Sequence, residues 1–165
     1  EGLKVDIDDP SQLGNDLVVG AVTVLNEFKP PIVLIDMGTA TTISVVDKNK
    51  NYLGGLIMTG MGVAADALIN RTAQLPKIDF EMPPNIIGRN TIDCMKSGAL
   101  FSNACAIDGI IERIEEELGH KSTLIATGGM AQFVTPLCKH SIILEKDLLL
   151  KGLNLLYKKN KKSIE

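Results

Sequence analysis

Three strand-like runs in direct succession, Ile32 to Asp36, Thr41 to Val46 and Tyr52 to Met58, are followed by helices and strands in alternation. Together these predict an α/β fold of the RNase H-like kind. The first run is almost wholly apolar, as a strand buried on both faces requires. Short connections join the three runs, so they form an antiparallel meander. Glycines gather at the predicted strand ends (Gly38, Gly54-Gly55, Gly60, Gly62, Gly128-Gly129), more of them than turns alone require.

In chain order, Lys4 to Ile7 alternates as a short strand does, and Asp8-Asp9-Pro10-Ser11 is turn chemistry. From Gln12 to Phe28 apolar residues return at helical spacing (Leu13, Leu17, Val18, Ala21, Val24, Leu25, Phe28), until Pro30-Pro31 stops the helix. Asp47 to Asn51 is the polar hairpin loop between the second and third strands of the meander. Gly60 and Gly62 lead into a helix from about Val63 to Ala73. Leu75 to Pro84 carries Pro76, Pro83 and Pro84 and is expected as an ordered surface loop. A long helix covers Thr91 to Leu118, ends in a glutamate-rich turn and is closed by Gly119. A strand at Ser122 to Ala126, a helix at Met130 to Cys138, a strand at Ser141 to Leu144 and a helix at Leu148 to Lys158 complete the order. The expectation is therefore a mixed sheet with a three-strand meander and flanking helices. Actin-like and sugar-kinase ATPases (the ASKHA superfamily) are built from two such halves with nucleotide between them. On that plan, residues 1–30 close a first half and residues 31–165 form the second. Fold-level analogy of this kind carries function only weakly.

At 165 residues the chain is long enough for one domain with a sizeable core. A hydrophobic fraction of 45% and a charged fraction of 22% are those of a soluble globular protein. A net charge of −3 leaves no basic footprint for nucleic acid, and 4% aromatic residues with no Trp argue against a base-stacking platform. No apolar run approaches the about 18 residues that span a bilayer, and the first residues do not resemble a signal peptide, so no membrane partner is expected. Cys94, Cys105 and Cys138 show no metal-ligand spacing; an odd, scattered set of apolar-type cysteines suits a reducing compartment, and a cytoplasmic location is expected. His120 and His140 read as isolated surface residues.

Several motifs carry chemistry. Asp36-Met37-Gly38-Thr39 ends the buried first strand of the meander. There Asp36 can hold a cation, Gly38 lets backbone approach a phosphate, and Thr39 offers a hydroxyl and an N–H; an ordinary hairpin turn has the same composition. Thr127-Gly128-Gly129 follows a strand and opens a helix, which suits a ligand against bare backbone at a helix N-terminus, or a plain strand-to-helix turn. In Gly14-Asn15-Asp16, at the start of the first helix, Asp16 can act as a general base toward a bound hydroxyl, or simply as a first-turn acid that complements the helix dipole. Thr91 serves equally as N-cap or ligand hydroxyl, and Arg89 reads as a surface charge.

In this order and spacing the motifs resemble the type III pantothenate kinases. The likeness runs through Asp9-Pro10 with Gly14-Asn15-Asp16, Ile35 to Thr42, Gly54-Gly55-Leu56-Ile57, Thr72 to Pro76, Ile87-Gly88-Arg89-Asn90-Thr91, Thr127-Gly128-Gly129 and Lys151 to Tyr157. The resemblance implies ATP-dependent phosphorylation of pantothenate to 4'-phosphopantothenate, the first step of coenzyme A synthesis. It implies Asp16 as the proton acceptor, Gly14, Asn15, Asp16 and Leu17 lining the pantothenate pocket, and Thr91 contacting that substrate. It also implies Gly38, Thr39, Gly128 and Gly129 at ATP, a monovalent cation (K+ or NH4+) on Asp36, Mg2+ with the nucleotide, and a homodimer with substrate at or near the subunit interface. Departures from the family pattern are Leu17 where Arg is usual, Ile7 for Tyr, Asp9 for Asn, Thr59 for Pro and Lys151 for Glu. The family's other phosphate loop, near the start of its proteins, has no counterpart here, so these residues alone are expected to show little or no kinase activity. Two rival readings are another small-molecule kinase of the superfamily and a non-catalytic regulatory relative, since some members were first described as accessory factors for transcription.

Overall fold

The computed structural model describes residues 3–162, which form a six-stranded mixed sheet with helices on both faces. Strands β1 (Lys4–Val5), β2 (Ile32–Met37), β3 (Ala40–Val46), β4 (Asn51–Thr59), β5 (Thr123–Thr127) and β6 (Ile143–Leu144) lie in the order β1-β4-β3-β2-β5-β6. The meander is present as expected: β2, β3 and β4 pair antiparallel, while β5 adds parallel to β2 and β6 to β5. β1 pairs parallel with β4 at the far edge. β2 is the central strand, and its nearly unbroken burial explains its apolar sequence.

Alternation along the strands sorts the core into two layers. Val33, Ile35, Met37 and Ile43 face α3 (Thr91–Leu118), whose buried residues Leu100, Ala104, Ile107 and Ile111 recur at helical spacing. Ile32, Leu34, Val46 and Ile125 face the other way, onto α1 (Asn15–Glu27) through Ala21 and Val24 and onto α5 (Leu148–Lys162) through Leu148. Asp36, between Ile35 and Met37, belongs to this second face. A Cβ on Gly152 of α5 would strike Val19 and Thr23 of α1, so α1 and α5 meet closely there. The remaining helices are α2 (Met61–Asn70) and the single turn α4 (Ala131–Val134).

The long helix keeps its expected bounds because both ends are chemically marked. The Asn90 side chain accepts the Asp93 N–H at 2.9 Å, and Gly119 takes the left-handed conformation (φ 75°) with its N–H on the Glu115 carbonyl. Elsewhere the boundaries move. The first helix starts at Asn15 rather than Gln12, because Asp9 accepts from the Ser11 N–H (3.0 Å) and hydroxyl (2.6 Å) and winds Pro10–Gln12 into a separate 3-10 turn. The expected Met130–Cys138 helix is only α4 and a 3-10 turn at Thr135–Leu137, since Pro136 lacks the N–H that an α-helix would need. The loop 75–84 has no regular structure, yet Phe80 packs on the core and Glu81 pairs with Lys96 at 3.1 Å.

Several side-chain roles differ from expectation. His140 is not an isolated surface residue: its Nδ1 lies 2.7 Å from the Asp108 carboxylate, which also accepts the Lys139 and His140 N–H groups. Burial alone would raise the Asp108 carboxyl, but these hydrogen bonds outweigh it and hold the group below its ordinary range. His120 likewise has its Nδ1 buried. Glu115, within the stretch read as a charged turn, is buried and accepts from Lys121 Nζ (2.7 Å) and the Ser122 N–H (2.9 Å), tying α3 to the start of β5. Among the cysteines, Cys94 and Cys105 are exposed and only Cys138 is partly covered, where burial pushes its thiol up to about 12.

Candidate active site at the carboxyl ends of the central strands

Two loops leave neighbouring strands side by side. The Gly38-Thr39 turn joins β2 to β3, and the Gly128-Gly129 turn follows β5, the parallel neighbour of β2. Gly38 N–H closes the first turn on the Ala40 carbonyl at 3.0 Å, and Met130 N–H binds the two together through the Met37 carbonyl at 3.1 Å. The carboxyl ends of parallel strands are where ligands collect in open α/β sheets.

Asp36 sits at the centre of this end. Register places Thr42 on one side of it and Thr127 on the other, in one row across three strands. Gly128 has φ 91°, and a Cβ there would lie 2.6 Å from the Met37 carbonyl and 2.7 Å from Asp36 Oδ1, so only glycine leaves the carboxylate its place. Asp36, Thr127 and Gly128 line a small cavity of about 130 Å³ with Lys146, Asp147 and Leu150 from the entry of α5. On the other side of the loops, Gly38, Thr39 and Gly129 line a cavity of about 280 Å³ with Gly62, Val63 and Asp66 of α2.

Asp16 reaches this region from the first turn of α1. Gly14 is its N-cap, and a Cβ at Gly14 would lie 2.6 Å from Asp16 Oδ1, so the carboxylate folds back over the helix N-terminus. Asn15 and Asp16 are exposed and Leu17 is half-buried. Burial first, and then the negative charge of Asp16, holds the Asp36 carboxyl above its ordinary range. A buried carboxylate that feels a second negative charge beside glycine-rich backbone fits a cation: a bound positive charge would offset the repulsion. Among the described residues no group of three or more His, Cys, Asp and Glu gathers around a common point, so the ligand set this chain offers is sparse.

A carboxyl whose pKa rises on folding supports the fold fully below its unfolded value, near 3.8, and loses that support as pH climbs through the raised folded value. Asp36→Asn is therefore expected to melt above the wild type at neutral pH in low-potassium buffer, with the two curves converging in acid. Equal melting temperatures at neutral pH would show that the charge is not strained.

The structure does not gather every expected site residue. Thr91 opens α3 at an exposed position and lines a third cavity, of about 660 Å³, between α2 and α3, together with Arg89 and Asn90. None of Asp16, Asp36, Thr39 and Gly128 borders that cavity. α4 is too short to bring a helix dipole to the Gly128-Gly129 turn, so exposed backbone and not helix charge is what that turn offers. Gly54 and Gly55 have structural duties: Gly54 (φ 108°) forms the bulge opposite Val45/Val46, and Gly55 lies against the Ile43 carbonyl with no room for a side chain. Lys146, Asp147 and Asp66 were not visible as site residues, because their motifs are unremarkable and only the packing of α5 and α2 brings them near.

The departures in sequence are absorbed locally. Ile7 joins the apolar layer under α1 and lies near Gly54. Asp9 caps its turn, and Lys151 bridges Glu145 (2.7 Å) and Glu27 (3.1 Å), linking α5 to α1. Leu17 places no charge at the start of α1.

The sheet order, the flanking helices and the paired loops define an actin-like α/β fold. A ParM filament subunit from Clostridium botulinum superposes with TM-score 0.51 at 14% identity, over 82% of this chain and 50% of that one. A structure described as a conserved Baf family transcriptional activator from Campylobacter jejuni superposes with TM-score 0.67 at 20% identity, over 97% of this chain and 70% of that one. Within this fold, the sequence profile of the type III pantothenate kinases matches residues 1–113, and the chain belongs to that family. Type III pantothenate kinases of Exiguobacterium sibiricum and Brevibacillus brevis are 39% and 36% identical, over 97% and 96% of this chain. The chain spans 63% and 62% of the lengths of those two relatives. Among the described residues no helix is long and apolar enough to cross a membrane.

Proposed function

We propose that the chain is the C-terminal part of an enzyme that transfers the γ-phosphoryl group of ATP to pantothenate, giving 4'-phosphopantothenate at the start of coenzyme A synthesis in the cytoplasm. The observation that supports this reading is that Asp36, at the carboxyl end of β2 beside Gly38-Thr39 and Gly128-Gly129, lies within reach of the negative charge of Asp16. The acceptor hydroxyl oxygen attacks the γ-phosphorus as the bond to the β–γ bridging oxygen breaks. Its proton passes to the Asp16 carboxylate, and ADP leaves. Gly38 and Thr39 meet the phosphates, with Gly128 and Gly129 closing the nucleotide side through backbone. Asp36 is the ligand for a potassium or ammonium ion, which when bound neutralises phosphate charge; Mg2+ accompanies the nucleotide.

Residues 1–30 are proposed as the end of one RNase H-like half, docked through β1 and α1 on the sheet of the other, 31–165, with the second phosphate loop supplied by the rest of the enzyme. We also propose a homodimer. Thr91 opens a cavity separate from the one at Asp36, and Ile86 and Ile87 beside it are 61% and 78% exposed. Apolar surface of that kind suits a subunit contact through which Thr91 reaches the substrate of a second copy.

Release of ADP tests the proposal. The complete protein with pantothenate, ATP, Mg2+ and K+ is expected to turn over, and the 165-residue chain alone to show little or no activity. Turnover only with another hydroxylated acceptor would make it a different small-molecule kinase. Calorimetric binding of pantothenate and ATP without turnover would favour a regulatory protein.

A further inference from the structure

The cavity between α2 and α3 has a polar end and an apolar wall. Arg89, Asn90 and Thr91 stand at the polar end, with Asn103 roughly 18 Å further along α3, while Ala64 and Leu68 of α2 supply apolar surface. Among the described residues, Arg89 is the only charged one lining this space. Among the described residues its guanidinium has neither an ion pair nor a hydrogen bond, and unlike other unpaired cations such as Arg71 it lines this cavity. At about 660 Å³ the space is of the size that holds a small organic ligand. An unpaired guanidinium at the mouth of an otherwise neutral cavity selects an anion, and its planar donors suit a carboxylate held through two parallel hydrogen bonds.

We propose that Arg89 is the specificity residue for the carboxylate of the acceptor. This rests on the pantothenate kinase reading, and it accounts for Leu17, which leaves the start of α1 without a cation. Pantothenate carries a carboxylate at one end, an amide in the middle and a geminal dimethyl group beside the reacting hydroxyl. Arg89 takes the carboxylate, and the hydroxyl of Thr91, two residues on, is placed for the polar middle, which leaves the reacting end to project toward the second copy. Since Asp16 lies outside this cavity, Arg89 acts together with Thr91 across the proposed subunit contact, and it takes no part in proton transfer.

The experiment compares pantothenate with panthenol, in which a neutral CH2OH replaces the carboxylate, in the complete protein and its Arg89→Gln and Arg89→Lys variants. Arg89→Gln is expected to raise KM for pantothenate about 10- to 100-fold, the size of a lost hydrogen-bonded charge contact. Its KM for panthenol and both kcat values are expected to stay within about twofold, which is the signature of lost ground-state binding. Arg89→Lys should restore part of the preference for the acid. An unchanged ratio of pantothenate to panthenol KM in Arg89→Gln, with the protein folded by circular dichroism, would overturn the proposal and leave the kinase reading standing. Should the wild type phosphorylate another hydroxy acid in place of pantothenate, the kinase reading narrows, and that acid against its own alcohol analogue decides Arg89 by the same ratio. A wild type that binds no hydroxy acid overturns both.

Discussion

Replacing Asp16 with Asn in the complete protein is expected to lower kcat for pantothenate phosphorylation roughly 100- to 10,000-fold, the usual contribution of a positioned general base. Asn keeps the size and the hydrogen-bonding edge of the side chain but cannot accept the hydroxyl proton, so KM should change far less than kcat. A purely structural Asp16 predicts a different result. A first-turn acid complements its helix dipole by only about 0.3–1 kcal/mol, and its loss would appear in the melting temperature and not in the rate. A second readout separates the two roles further. Asp36 is held high first by burial and then by the charge of Asp16, so Asp16→Asn should lower the pH at which Asp36 ionises and widen the range in which a cation binds there. Retention of kcat within a few-fold of wild type would remove Asp16 from the chemistry.

The sequence makes some of this arrangement legible and hides the rest, for physical reasons. The meander and the long helix are local objects: apolar alternation, the Asn90 cap and the Gly119 stop are written in adjacent residues, and the structure keeps the helix at Thr91–Leu118. The loop residues Asp36, Gly38 and Gly128 are also visible, because a buried strand ending in an acid or in paired glycine is unusual enough to mark itself. What sequence does not show is which of two plausible roles each residue takes. Gly54 and Gly128 look alike on paper, and only the register assigns one to a bulge and the other to the space beside a carboxylate. Asp36 feels the charge of Asp16 because α1 starts near the end of β2, a relation set by tertiary packing. The Asp108–His140 pair depends on residues more than thirty positions apart brought together by the chain's return to the sheet, and neither residue alone signals it.

Gly128→Val is expected to be the most damaging single change at the site. The backbone there has φ 91°, a conformation that costs an L-residue about 1–3 kcal/mol, and more for a β-branched side chain. Its Cβ would also press to 2.6 Å against the Met37 backbone, which cannot rotate away as a flexible side chain can. Forcing atoms into so tight a place adds about 1–3 kcal/mol, so a total loss of roughly 2–6 kcal/mol is expected in urea unfolding. The relief available is to part the Gly128 turn from the end of β2, which breaks the Met130-to-Met37 hydrogen bond and displaces Asp36 Oδ1. ATP binding, followed by calorimetry in the complete protein, should then weaken together with stability. Gly129→Ala is the control. A Cβ at Gly129 meets nothing within 4 Å, so stability should be nearly unchanged, and any effect on ATP would come from the nucleotide side of the turn. If Gly128→Val unfolds with the wild-type midpoint, the tight approach of β5's exit loop to Asp36 is not a constraint on the protein in solution.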